Sequence, residues 1–129
     1  MIDPNLHERL LRKIRTRERF ESDLRKEFGG EPGLKESLAR LREQGFINDR
    51  RAAEELIRSK SPASRNLLAL LLEEKGIDSA QLLADHDDRA AAMQIIEKRK
   101  GEPVGRVARY LASKGFDEDL IESVLEDRE

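Results

Sequence analysis

Leu41-Arg42-Glu43-Gln44-Gly45-Phe46, Leu72-Glu73-Glu74-Lys75-Gly76-Ile77 and Leu111-Ala112-Ser113-Lys114-Gly115-Phe116 repeat one pattern: a Leu, three mostly polar residues, a Gly and a large apolar residue. A helix that ends on a left-handed residue places Gly there, because no Cβ then meets the neighbouring carbonyl. With Gly just past the helix, the Leu sits three positions before the cap and the apolar residue follows the Gly. That is the pair that touches in a Schellman cap. Each stretch therefore predicts a helix end closed by a hydrophobic clasp. The three recur at unequal intervals within the range of helical repeats.

Working outward, the same reading covers most of the chain. Asp3-Pro4 offers an N-cap followed by Pro at the first helical position, and Leu6, Leu10 and Ile14 then recur on one face. Phe20, Leu24 and Phe28 continue at that spacing until Gly29-Gly30-Glu31-Pro32-Gly33 interrupts it, which leaves one bent helix or two. Leu34, Leu38 and Leu41 stripe the next helix. Asn48-Asp49 caps another, with Ala52, Ala53, Leu56 and Ile57 inward. Ser61-Pro62 repeats the cap-then-Pro signal before Leu67, Leu68, Leu71 and Leu72, a helix apolar nearly all round and the expected centre of the core. Asp78 starts a short segment with Leu82 and Leu83, and one acid of Asp85-His86-Asp87-Asp88 starts a helix through Ala91, Ala92, Ile95 and Ile96. Pro103 opens the next helix, with Val104, Val107, Ala108 and Leu111 inward, and Asp117 the last, with Leu120, Ile121, Val124 and Leu125.

Composition agrees with this pattern and excludes several classes. The 129 residues are 40% charged and only 4% aromatic, with one Thr, one Tyr and no Trp, a poor stock for a sheet. Charges of both signs interleave with Leu, as on amphipathic helices. The absence of Cys removes disulfides and thiolate chemistry. No signal-peptide pattern stands at Met1-Ile2-Asp3-Pro4, and the longest apolar run, Leu67 to Leu72, is too short to span a bilayer. The expectation is a cytoplasmic protein, monomeric because no heptad pattern is sustained. The fold expected is all-α, built of tandem three-helix repeats over residues 1–47, 48–85 and 86–129.

Catalysis finds no support. No Gly-rich phosphate loop, nucleophile motif or helical carboxylate–histidine pattern is present. His86 stands among three acids, but at a helix start, where acids serve as caps. No enzyme activity, metal or cofactor is expected.

Binding has better candidates. Arg9, Arg12, Lys13, Arg15, Arg17 and Arg19 form one basic cluster, locally opposed by Glu18. Lys98, Arg99 and Lys100 form a second, joined across Gly101 by Arg106 and Arg109. A guanidinium fork makes paired hydrogen bonds to phosphate or carboxylate, so either cluster suits a DNA backbone or an acidic protein groove. A run of charge on a helix is ordinarily a solvated face, and cations near a helix C-terminus are already favoured by its dipole. Arg50, Arg51, Arg58 and Lys60 make a thinner middle group beside Glu54 and Glu55. The acidic segment after Gly115 is expected to avoid phosphate and to pair with a basic cluster of a neighbouring repeat.

The ordered motifs resemble the RecX family, bacterial modulators of the RecA recombinase. Arg17-Glu18-Arg19-Phe20-Glu21-Ser22-Asp23-Leu24 resembles its first-repeat signature, and Gly45-Phe46-Ile47-Asn48-Asp49-Arg50-Arg51-Ala52-Ala53 is the most similar stretch. The Gly76 and Gly115 turns resemble those of the second and third repeats. Phe20, Ala52 and Leu71 depart from it, replacing a hydroxyl residue, an aromatic and a Glu. The resemblance implies an elongated crescent of three-helix repeats lying in the groove of a RecA filament on DNA. Such a protein restrains strand exchange, ATP hydrolysis and the SOS co-protease function of the filament. The alternative reading is a helical DNA-binding module, on single- or double-stranded DNA, with no recombinase partner.

Overall fold

The computed structural model describes residues 1–128, and among them it contains eight α-helices and no strand. They are α1 (Pro4–Thr16), α2 (Glu21–Glu27), α3 (Leu34–Glu43), α4 (Asp49–Lys60), α5 (Arg65–Glu74), α6 (Asp88–Lys98), α7 (Val104–Ser113) and α8 (Glu118–Asp127). The chain divides into two compact units. One comprises Met1–Leu56 with Lys75–Ile77, the other Ile57–Glu74 with the chain from Asp78 onward.

In the first unit, Leu6 and Leu10 of α1 bury against Leu24 of α2 and Phe28 just beyond it, Leu38 and Leu41 of α3, and Ile47. Burying a side chain of this size stabilises by about 1.5–3 kcal/mol. The Asp3 carboxylate accepts the Asn5 N–H at 2.9 Å, and Pro4 occupies the first turn, as the sequence indicates. α1 and α2 are separate helices. Arg17 is extended, and the Arg19 guanidinium turns back to donate to the Lys13 carbonyl at 3.1 Å and to Thr16 Oγ1 at 2.7 Å. Orphan groups at the end of α1 are thereby satisfied.

Phe20 occupies the N-cap position of α2 and brings no acceptor, so the acceptor comes from elsewhere. The Glu21 N–H donates to Asp49 Oδ1 at 3.0 Å, from the first residue of α4. Glu21 itself is nearly buried, and its carboxylate is held by Arg25 and by Arg42 at 2.8 Å. Lys75 lies 5.8 Å from the Phe20 ring centroid, bonds Asp23 at 2.9 Å, and its carbonyl accepts Ser22 Oγ at 3.0 Å. These contacts place Lys75–Ile77 with the first unit.

The second unit has its own core: Ala91, Ala92, Ile95 and Ile96 of α6, Val107 and Leu111 of α7, then Phe116, Ile121 and Val124. Asp87 and Asp117 cap α6 and α8, accepting the N–H groups of Ala90 at 3.1 Å and Leu120 at 2.8 Å. Asp88 repeats the device of the first unit, accepting the Arg65 N–H of α5 at 2.8 Å.

Three expectations need correction. α5 begins at Arg65 and not at Pro62, because Ser64 supplies the cap, its Oγ accepting the Leu67 N–H at 3.0 Å. α5 is not where the two cores are built: Leu68 and Leu72 are buried, but Leu67 and Leu71 only partly, and Leu70 is exposed. The first clasp also differs from its pattern. All three junction glycines are left-handed, at φ 80°, 79° and 90°. At Gly115 the Phe116 N–H reaches the Leu111 carbonyl at 3.3 Å, and Phe116 is buried, 5% exposed. At Gly45 both Phe46 and Ile47 donate to the Leu41 carbonyl, at 2.9 and 3.3 Å. The turn thus runs one residue further, so that Ile47 enters the core at 3% exposure while Phe46 stays 47% exposed.

Candidate functional site

The two basic clusters lie in different units and are treated differently by their surroundings. In the first, Arg9 is paired with Glu31 and lies 5.6 Å from the Phe28 ring centroid. Lys13 bonds Glu27 at 2.7 Å, and Arg12 and Arg15 share Glu8 at 3.9 and 3.8 Å. Arg19 is committed to the end of α1. Of the six cations only Arg17 has no partner among the described residues, and it is exposed. A shallow concavity lined by Arg12, Lys13, Thr16, Arg19, Glu27 and Phe28 lies beside them, with an acid in its wall.

At the second cluster one cation is fixed and four are free. The Arg99 guanidinium lies 3.6 Å from the Tyr110 ring centroid and bonds Glu102 at 3.2 Å, a stacked and charge-paired arrangement. Lys98, Lys100, Arg106 and Arg109 are exposed, and none has a carboxylate within ion-pair distance among the described residues. The Arg109 guanidinium lies back across the first turn of α7, where a Cβ on Gly105 would sit 3.6 Å from its Nη1. Val104, at the start of that turn, is 54% exposed. Sequence reasoning passed over Val104 by counting it among the inward residues of α7.

The middle group is also neutralised in part: Arg50 bonds Glu54 at 3.2 Å, and Arg51 bonds Glu18 at 3.0 Å and the Gly45 carbonyl at 2.7 Å. Among the described residues the acids of α8 form no ion pair with the Lys98–Arg109 cluster of their own unit. Asp127 pairs with Arg89 of α6, which also donates to Ser123 Oγ at 2.9 Å, whereas Glu118, Asp119, Glu122 and Glu126 make no ion pair among the described residues. Beside α6, His86 Nε2 lies 3.2 Å from Asp88 Oδ1, and the Asp87 side chain caps the helix. Among the described residues no three His, Cys, Asp or Glu side chains gather to hold a metal ion, and no helix is long and apolar enough to cross a membrane.

The fold and this surface define an all-helical protein whose distinctive chemistry is displayed charge, chiefly arginine and lysine on helix corners. No protein-family model matches the chain. Among curated proteins it is 34% identical to regulatory protein RecX of Neisseria meningitidis serogroup C and to that of Neisseria gonorrhoeae, covering 74% of this chain and 69% of each relative. The RecX protein of Chlorobium phaeobacteroides is 31% identical, with 74% and 72% covered. The chain belongs to the RecX family of regulatory proteins. Its fold agrees. A crystal structure of regulatory protein RecX superposes with a TM-score of 0.67 at 21% identity, over 95% of this chain and 72% of that one. RecX from Lactobacillus salivarius superposes at 0.63 and 19% identity, over 96% and 94%.

Proposed function

We propose that this chain is a non-catalytic cytoplasmic regulator that binds a RecA filament on DNA as a monomer and inhibits recombination, ATP hydrolysis and co-protease activity. Its membership of the RecX family supports the reading, and the observation that carries the contact is the α6–α7 corner, where Lys98, Lys100, Arg106 and Arg109 present charge with no ion-pair partner among the described residues. An exposed pair within the chain is weak, but its carboxylate cancels part of the positive field that the cation offers an anionic partner. The second cluster is therefore the principal contact, and the first has left to offer Arg17 and the one charge by which Arg12 and Arg15 exceed their shared Glu8. The three left-handed glycine corners support a division into repeats over residues 1–47, 48–85 and 86–129.

The test is to add the purified protein to RecA assembled on single-stranded DNA and follow co-sedimentation and ATP hydrolysis. Co-sedimentation with slowed hydrolysis is expected, and absence of both at micromolar protein overturns the reading. The same free cations favour a second reading, a DNA-binding module that needs no recombinase. Naked duplex would then bind tightly at low salt and weaken steeply as salt rises.

A further inference from the structure

The chemistry of the α6–α7 corner is more particular than a positive patch. Four cations between Lys98 and Arg109 lack a carboxylate partner among the described residues, where the acids nearest in sequence are Glu102, taken by Arg99, and exposed Glu97. At the first turn of α7 stands Val104, one of four large apolar side chains exposed among the described residues. One exposed aliphatic residue is unremarkable on its own. Its setting is what matters. The neighbouring residue is Gly105, and across that glycine lies the Arg109 guanidinium, so apolar surface and positive charge meet on one helical turn. The Arg99–Tyr110 stack, tied to Glu102, holds the turn that leads into it and lowers the ordering cost of binding.

The geometry points to an acidic polypeptide segment bearing an aliphatic side chain as the ligand of this corner, with its carboxylates on Lys98, Lys100, Arg106 and Arg109 and its aliphatic group against Val104. This deepens the reading above, on which it rests for the partner's being a protein. A nucleic-acid backbone would answer the cations but carries no aliphatic side chain to cover Val104. An acidic peptide with an interspersed Leu or Ile answers both features, charge giving the encounter rate and the buried contact the lifetime.

The experiment measures fluorescence anisotropy of the full chain with three labelled probes. They are an acidic peptide of alternating Glu and Asp with one central Leu, the same peptide with Ser in place of Leu, and a single-stranded oligonucleotide of equal charge. The Leu peptide is expected to bind about tenfold more tightly than the Ser peptide, and the Lys98→Ala, Lys100→Ala, Arg106→Ala, Arg109→Ala variant to lose it. Val104→Ala and the uncharged Val104→Ser should weaken the Leu peptide progressively and leave the Ser peptide little changed. All five residues are exposed, and an unchanged circular dichroism melt verifies that each variant folds. Equal binding of both peptides, tighter binding of the oligonucleotide, or indifference to Val104 overturns the inference. Retained co-sedimentation with the filament under those results leaves the functional reading standing. Leu-dependent peptide binding at this corner without any filament binding does the reverse.

Discussion

The two basic clusters look alike as strings of letters and differ as surfaces. In α1 the carboxylates that silence Arg9 and Lys13 come from Glu31 and Glu27, near the other end of α2, while Glu8 takes Arg12 and Arg15. At the α6–α7 corner, among the described residues, only Arg99 is answered, and the four remaining cations are exposed. A count of cations along a chain thus measures what is present, whereas available charge depends on which acids the fold delivers. The Gly-Phe corners teach the same lesson in apolar terms: Phe116 is buried in one unit, and Phe46 is exposed in the other.

The contrast between the corners can be broken by substitution. Phe116→Ala is expected to cost about 3–5 kcal/mol, and Phe46→Ala under about 1 kcal/mol, in denaturant unfolding, as a buried and a half-exposed aromatic should. Equal losses would mean that the two rings share one environment after all. Gly115→Ala comes next: its Cβ would lie 2.4 Å from Ser64 Oγ and 2.7 Å from Leu67 Cβ, on top of a left-handed backbone. Together these give roughly 2–4 kcal/mol. Gly45→Ala meets nothing within 4 Å and should cost only the conformational part, about 1 kcal/mol. The same unfolding measurement separates them.

Smaller effects sharpen the contrast between the clusters. Filament co-sedimentation should weaken at least about tenfold when Lys98, Lys100, Arg106 and Arg109 become Ala, against about twofold for Arg12, Lys13 and Arg15. A larger effect from the α1 triple variant would invert the assignment. Glu27→Gln with Glu31→Gln should leave stability within about 1 kcal/mol, since exposed pairs contribute little. The released Lys13 and Arg9 should raise binding to anionic resin at low salt, and an unchanged elution would show that they were never held.

Much of the architecture was legible because it is local. Asp3, Asn48, Asp87 and Asp117 each carry an acceptor two or three residues ahead of an N–H that needs one, and all four cap as read. The left-handed glycines and the family resemblance were equally plain. What escaped was non-local. Ser61-Pro62 has the form of a helix start, yet Ser64 wins because its own N–H is anchored at 3.0 Å on the carbonyl of Lys114, far along the chain. Neutralisation of Arg9 and Lys13 depends on α2 and the loop beyond it, which no spacing along α1 announces, whereas Glu8 and Arg12 stand four residues apart on α1 and their pairing was legible. Val104 has the spacing of a core residue and is exposed because it stands at the open end of its helix.

The paired acids Asp49 and Asp88 bear on how such a chain can be cut and rejoined. Each begins one helix while completing the start of an earlier one, Asp49 for α2 and Asp88 for α5. A fragment ending before Asp49 would leave the Glu21 amide without its acceptor, so the smallest transplantable segment containing α2 must extend into α4. Rearranged or shortened versions that respect this overlap should keep their helix starts, and versions spliced at the intervening loops should fray there first.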